Sequence, residues 1–362
     1  MQRRCSMKIA EIDKNFASKE IVTKDGLTEY PIPSPGFALY GVFYDENEGC
    51  FARMDLSVAK MVSEGVGRLS RHTTGGRLRF ATNSKILKLT ATYTYLWIME
   101  YMTIVGSSGF SLFEETEQGE RFVANIMPTP KDENGFTRQI ALPGGSMRSY
   151  TLYFPLYNDL QSLTVALEEG AKVESGKPHR DILPILYYGS SITQGGCACR
   201  PDTSYQGVIY KKNNVDYINL GFSGSGKAED NMVDYLASID CSLLVCDYDY
   251  NASTVEYLQD THYRLYERYR KVRPDTPILF ISKPDIQNDA QGEERLRIIK
   301  NTYLKAKKQG DSNVYFLSGK RFYGKGNCWN YAVDGCHPTD LGFACMAKEI
   351  YKKMVEIDVR FR

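Results

Sequence analysis

The spacing of apolar residues changes character part-way along the chain. In the first half it has a period of two. Leu87, Leu89, Ala91 and Tyr93 share one face of residues 85–93, and Tyr150, Leu152, Phe154 and Leu156 share one face of residues 150–156. Leu163, Val165 and Leu167 continue the alternation. Such a pattern over many short segments predicts half-buried antiparallel strands. Turn signals separate them: Gly75-Gly76, residues 106–109, Glu133-Asn134-Gly135 and Pro143-Gly144-Gly145. No long helix of comparable strength is expected here, and a β-sandwich or jelly roll is the natural closure.

After the polar stretch 170–180, which reads as a linker, compact apolar runs alternate with helical patterns. The runs are 182–188, 217–220, 243–246, 278–281 and 314–317. Met232, Tyr235, Leu236 and Ile239 fit one helix face, as do Val255, Leu258, Leu265, Tyr269 and Val272, and again Ala347, Ile350, Tyr351 and Met354. Short buried strands alternating with helices predict a parallel sheet covered on both sides. The expected fold is thus α/β, a flavodoxin-like parallel five-stranded sheet preceded by an antiparallel β-sandwich. The expected division is 1–178 and 179–362. In such a sheet, ligands sit beyond the carboxyl ends of the strands.

Composition narrows the class without naming a function. The chain has 362 residues, 42% apolar and 25% charged, which fits a soluble globular protein of two domains. With 45 basic against 44 acidic residues, the net charge is +1 and favours neither nucleic acid nor an anionic membrane as partner. No run of about 18 apolar residues exists to span a membrane. Residues 7–16 are broken by Lys8, Glu11, Asp13 and Lys14, so no export signal is expected. The nine cysteines are odd in number and lack zinc-site spacing. Reduced thiols in a cytoplasmic protein are the expectation.

Four polar motifs fall where the predicted sheet would gather them. Gly189-Ser-Ser-Ile-Thr193 follows the first strand, Gly221-Phe-Ser-Gly-Ser-Gly226 the second and Asp247-Tyr-Asp-Tyr-Asn251 the third. Asp334-Gly-Cys-His-Pro338 lies between the fifth strand and the last helix. Ser191, on a glycine-preceded strand-to-helix turn, is a candidate nucleophile. A serine hydroxyl needs an adjacent base. His337 is the candidate base, and Asp334 is close enough along one turn to orient its ring and stabilise the imidazolium. The amides of Ser191 and Gly224 and the carboxamide of Asn251 are candidate donors to a tetrahedral oxyanion.

Plainer uses exist for each residue: a helix cap for Ser191 or Asp334, a turn for Gly224 or Asn251. Their coincidence on one edge favours a site. Gly221-Phe-Ser-Gly-Ser-Gly-Lys227 also imitates a phosphate-binding loop, but Ala228 stands where a magnesium-binding hydroxyl is required. His262, on an apolar stripe, reads as a core histidine. His72 and His179 carry no predicted role, and Arg200 reads as solvated. Trp97 and the tyrosines of the first half read as strand-core aromatics, with a carbohydrate platform as the alternative.

Taken together, Gly189-Ser-Ser-Ile-Thr-Gln-Gly195, Asn219-Leu-Gly-Phe-Ser-Gly224, Asn251 and Asp334-Gly-Cys-His-Pro-Thr-Asp-Leu-Gly342 resemble the blocks of SGNH/GDSL-type serine hydrolases, in family order. The wording is closest to the subfamily with an N-terminal β-sandwich. The resemblance implies Ser191, Gly224, Asn251 and His337 as the catalytic serine, glycine, asparagine and histidine, with Asp334 as the aspartate. It implies hydrolysis of a short-chain acyl ester, acetyl on a carbohydrate foremost, through an acyl-serine intermediate. No metal or organic cofactor is implied. An acyltransferase or an inactive carbohydrate-binding relative are the alternatives; oligomeric state is left open. Two departures stand out: Ser190 replaces the family's usual aspartate, and Asp249-Tyr250-Asn251-Ala252 replaces its usual Gly-x-Asn-Asp. Substrate preference therefore does not carry over from the lipase members.

Overall fold

The computed structural model describes residues 21–22, 26–284, 291–324 and 328–362. The second half contains the expected parallel sheet. Its strands are β1 (Ile185–Gly189), β2 (Tyr217–Gly221), β3 (Leu243–Asp247), β4 (Ile278–Ile281) and β5 (Val314–Leu317), in the order β2-β1-β3-β4-β5. Every residue of β1, β3 and β4 is buried, as a sheet covered on both faces requires. The helices are α1 (Ser191–Gln194), α2 (Tyr205–Asn213), α3 (Asp230–Ser238), α4 (Val255–Val272), α5 (Gly292–Lys308) and α6 (Asp340–Ile357). α2 and α5 were not predicted. The buried stripe of α5 includes Arg295 and Thr302 beside Ile298, Ile299 and Ala306, too polar a stripe to register as periodic hydrophobicity.

In the first half, Leu27–Pro31, Ser162–Glu168, Ile86–Thr92 and Gly135–Ala141 lie side by side in one antiparallel sheet. A second contains Arg77–Thr82, Arg148–Tyr153, Phe110–Thr116 and Gly119–Ile126. Leu87, Leu89 and Val165 from the first meet Leu78, Tyr150 and Leu152 from the second in one core, which makes the pair a sandwich. The first sheet keeps clean alternation: Ile86–Thr92 is buried at every second residue. The second does not, because Arg77–Thr82 is buried at all six positions. Its outer face is covered by the parallel-sheet half. The stretch read as a linker is partly strand, since Val173–Glu174 pairs with Arg77–Thr82.

The contact between the halves is extensive. Tyr153, Leu156 and Tyr157 share a core with Ile185, Tyr210 and Phe343. Met54, Val66 and Leu69 share another with Leu186, Leu220 and Met232. The wholly buried Arg77 lies 3.8 Å over the Tyr217 ring and donates to Asp216 Oδ1 at 2.5 Å.

Candidate active site

The carboxyl edge of the parallel sheet is assembled by tight backbone packing. Gly189 ends β1, and a Cβ there would stand 1.7 Å from Asp247 Oδ1 and 2.3 Å from Thr193 Oγ1. Only glycine lets β1 turn directly into α1 at this point. Ser190 caps α1, its hydroxyl accepting from the Ile192 amide at 3.2 Å. The residue after it, Ser191, is 8% exposed. The turn closes at Gly195, whose φ of +98° is one that L side chains rarely adopt.

Ser191 Oγ lies 2.8 Å from His337 Nε2, and His337 Nδ1 lies 2.7 Å from Asp334 Oδ2. Asp334 Oδ1 accepts from the amides of Cys336 and His337 at 3.0 and 2.8 Å. Burial alone would raise the Asp334 carboxyl, but these amides and the imidazole hold it below the usual carboxylate value. It stays ionised beside the ring. The plainer reading of Asp334 as a cap for the last helix does not hold, since Thr339 caps α6.

The turn that carries Gly224 and the Asn251 side chain meet at one carbonyl. The Phe222 oxygen accepts from the amides of Ser225 and Gly226, both at 3.0 Å, and from Asn251 Nδ2 at 2.7 Å. One proton of the Asn251 carboxamide is thereby committed, and the other has no partner among the described residues. Gly224 has a φ of +67°, and its own amide has no partner among the described residues. The same bonds remove the phosphate-loop reading. The amides of Ser225 and Gly226 turn inward to Phe222, and that of Ser223 donates to Gln194 Oε1 at 2.9 Å.

Several residues that sequence reasoning passed over hold this edge together. Gln194 Nε2 meets His72 Nδ1 at 3.1 Å and donates to the Leu156 carbonyl at 3.2 Å. Asn219 Nδ2 and Gln206 Nε2 both donate to the Thr193 carbonyl. Asp247 accepts from Thr193 and, at 3.3 Å, from the Tyr205 hydroxyl. Burial pushes the Asp247 carboxyl up to about 8, although its hydrogen bonds pull the other way. Asp249, also buried, is pushed up to about 6. Gln194, Asn219 and Asp247 sit inside or beside the motifs, so their positions were available as signals.

A pocket of about 390 Å³ opens beside His337 and Asp334. Its far wall is residues 97–102 of the first half, with Tyr157 and Cys197 beneath. This corrects the strand-core reading of Trp97, which lies outside the strands and is 42% exposed. Its backbone is clamped by the buried Asn158, which accepts from the Trp97 amide at 2.7 Å and donates to its carbonyl at 3.0 Å. Arg200 is not simply solvated: it pairs with the buried Asp202 at 2.9 Å and lies over Phe122. His262 is a core histidine, as read, bonded to Thr302 at 2.9 Å and pulled down to about 3 by burial. His179 bonds Tyr210 at 3.0 Å, between the halves. Among the described residues no cluster of His, Cys, Asp and Glu has the makings of a metal site.

Residues 183–356 match the GDSL-like lipase/acylhydrolase family, and residues 33–173 match the N-terminal region of SGNH-hydrolase-type esterases. The α/β half belongs to the GDSL-like lipase/acylhydrolase family. The chain is thus one of the hydrolases of ester bonds. No curated protein matches the sequence. Among solved structures, a GDSL-like lipase from Bacteroides ovatus is 26% identical with a TM-score of 0.81, covering 91% of this chain and 98% of that one. The salicylyl-acyltransferase SsfX3 of a tetracycline biosynthetic pathway shares the fold at 18% identity and a TM-score of 0.76, covering 94% and 100%. An acetyl xylan esterase, Est2A from Butyrivibrio proteoclasticus, does so at 13% identity and a TM-score of 0.61, covering 93% and 100%. This GDSL-like hydrolase therefore shares both its halves, and not the α/β half alone, with those structures.

Proposed function

We propose that this hydrolase cleaves a short-chain acyl ester, with acetyl on a saccharide as the foremost substrate, through an acyl-Ser191 intermediate. The observation that carries the reading is the continuous chain from Ser191 Oγ through His337 to Asp334, at 2.8 and 2.7 Å. Such contacts lie within the reach proton transfer requires. Ser191 Oγ attacks the acyl carbon as His337 Nε2 takes its proton. Asp334 holds the Nδ1 proton and stabilises the imidazolium. The amides of Ser191 and Gly224 and the free proton of Asn251 Nδ2 receive the oxyanion. The tetrahedral adduct collapses, and His337 returns the proton to the leaving alkoxide. Water, deprotonated by the same imidazole, attacks acyl-Ser191 and releases the acid.

Support for a saccharide comes from the pocket. His337 lines it, and the alcohol portion leaves from that side; the exposed rings of Trp97 and Tyr101 and the side chain of Glu100 line it too. A pyranose has an apolar face for such rings and hydroxyls for such a carboxylate. The acetyl xylan esterase of like fold acts on that kind of ester. An acceptor alcohol in the same pocket would divert the acyl group from water, and product analysis with added glycoside distinguishes the two outcomes. We further propose a division near residue 178, in keeping with the two family matches on either side of it.

The test is covalent labelling by a fluorophosphonate alongside turnover of 4-nitrophenyl acetate. The intact chain should be labelled and active, and Ser191→Ala neither. Unlabelled intact protein, or an active Ser191→Ala variant, would reject the assignment.

A further inference from the structure

Arg53 belongs to the first half yet ends beneath the second half's oxyanion loop. It is 3% exposed, and no carboxylate among the described residues pairs with it. Its donors are instead spent on four backbone carbonyls. Nε donates to His72 at 2.7 Å and Nη2 to Leu69 at 2.7 Å, both in its own half. Nη1 crosses to the other half and bridges the carbonyls of Asn219 and Gly221, at 2.8 and 2.9 Å. The guanidinium also lies 4.7 Å from the centre of the Phe222 ring.

A buried cation without an anion is costly, and such groups persist where their hydrogen bonds are saturated. Here four of the five N–H donors are used, and the two bonds of Nη1 fasten one point in particular. Gly221 ends β2, and Phe222 is the next residue. The Phe222 carbonyl in turn receives Asn251 Nδ2 and the amides that close the turn around Gly224. Whatever fixes Phe222 therefore fixes both candidate oxyanion donors that lie outside α1. A second contact from the same region agrees. A Cβ on Gly65, in the helix Glu64–Leu69 whose last carbonyl Arg53 holds, would stand 2.2 Å from Ser225 Oγ.

We propose that Arg53 is a positioning residue for the oxyanion pocket, acting through Gly221 and Phe222 on Gly224 and Asn251. The inference rests on the serine-hydrolase reading above. A short misplacement of preorganised donors costs rate in the transition state, with little effect on ground-state binding. Lysine at this position keeps the charge but has no planar fork with which to hold carbonyls on both sides.

The test is a double-mutant cycle in the full chain, with kcat counted per serine titrated by fluorophosphonate. Arg53→Lys should lower kcat on 4-nitrophenyl acetate about 10- to 100-fold, with KM within about 3-fold of the parent. Arg53→Lys combined with Asn251→Ala should lose much less than the product of the single losses, because both act on one pocket. Affinity for a trifluoromethyl ketone, which forms a tetrahedral adduct, should fall in step with kcat. Phe222→Leu, which keeps Arg53 and every carbonyl, should give a smaller loss in the same direction and serves should Arg53→Lys not fold. An unchanged kcat per titrated serine, or fully multiplicative losses in the double mutant, would overturn the proposal. Failure of the serine reading itself would look different: no labelling of the parent, or turnover surviving in Ser191→Ala.

Discussion

At the scale of single residues, the proposed chemistry sets a hierarchy of losses. Ser191→Ala and His337→Ala remove the nucleophile and its base, and each should lower turnover of an activated acetate by about 10³-fold or more. Asn251→Ala removes one oxyanion donor and should cost about 10²- to 10³-fold, read as kcat with KM little changed. Equal activity in all three variants would contradict the roles. Asp247 gives a prediction in stability. Its carboxyl is raised by burial from 3.8 to about 8, so the folded chain holds that proton more tightly than the unfolded chain. The stabilisation from that bound proton is complete below 3.8 and is lost as pH rises through about 8. Asp247→Asn has no such proton to lose. Its urea midpoint relative to the parent should therefore climb between about pH 5 and pH 8.5. A constant difference across that range would show that Asp247 is not protonated in the fold.

At the scale of elements, the strand-to-helix turn after β1 is the most constrained. A methyl group on Gly189 has nowhere to go, because Asp247 and Thr193 already meet across that position. Gly189→Ala should destabilise the chain by at least about 1–3 kcal/mol in urea unfolding, and it should lower activity together with stability. The same crowding explains what was legible beforehand. The parallel strands were readable because they are short apolar runs, three of them buried throughout, and most are followed by a polar motif. Ser191, His337 and Asp334 were readable because their chemistry depends on residue type within short motifs. Arg53 was not: its partners are carbonyls, which carry no side-chain signature, and they lie in both halves of the chain. An arginine within the otherwise apolar run Cys50-Phe-Ala-Arg-Met54 was the one available hint. Trp97 was misassigned because an exposed aromatic and a strand-core aromatic are the same letter. Its environment is set by Asn158, far along the chain. The outer-face burial of Arg77–Thr82 was hidden because the surface that covers it belongs to the other half.

At the scale of the whole molecule, two cores draw on both halves, and the site takes its far wall from the first. The halves should therefore unfold together. Far-ultraviolet circular dichroism and tryptophan fluorescence should report one coincident transition. Residues 179–362 expressed alone should show no ester turnover. Two resolved transitions, or an active isolated second half, would count against this coupling. On the proposed saccharide reading, selection of the alcohol falls to the first half. Trp97→Ala should raise KM for a monoacetylated glycoside by about 10-fold while kcat stays within about 3-fold.

The wall formed by residues 97–102 is one contiguous segment, held at the Trp97 backbone by two bonds with Asn158 and separate in the chain from every member of the proposed relay. Evolution, or an engineer, has there a cassette. Exchanging those six side chains while retaining Asn158 would change which molecules the enzyme accepts and leave its bond-breaking apparatus as it was.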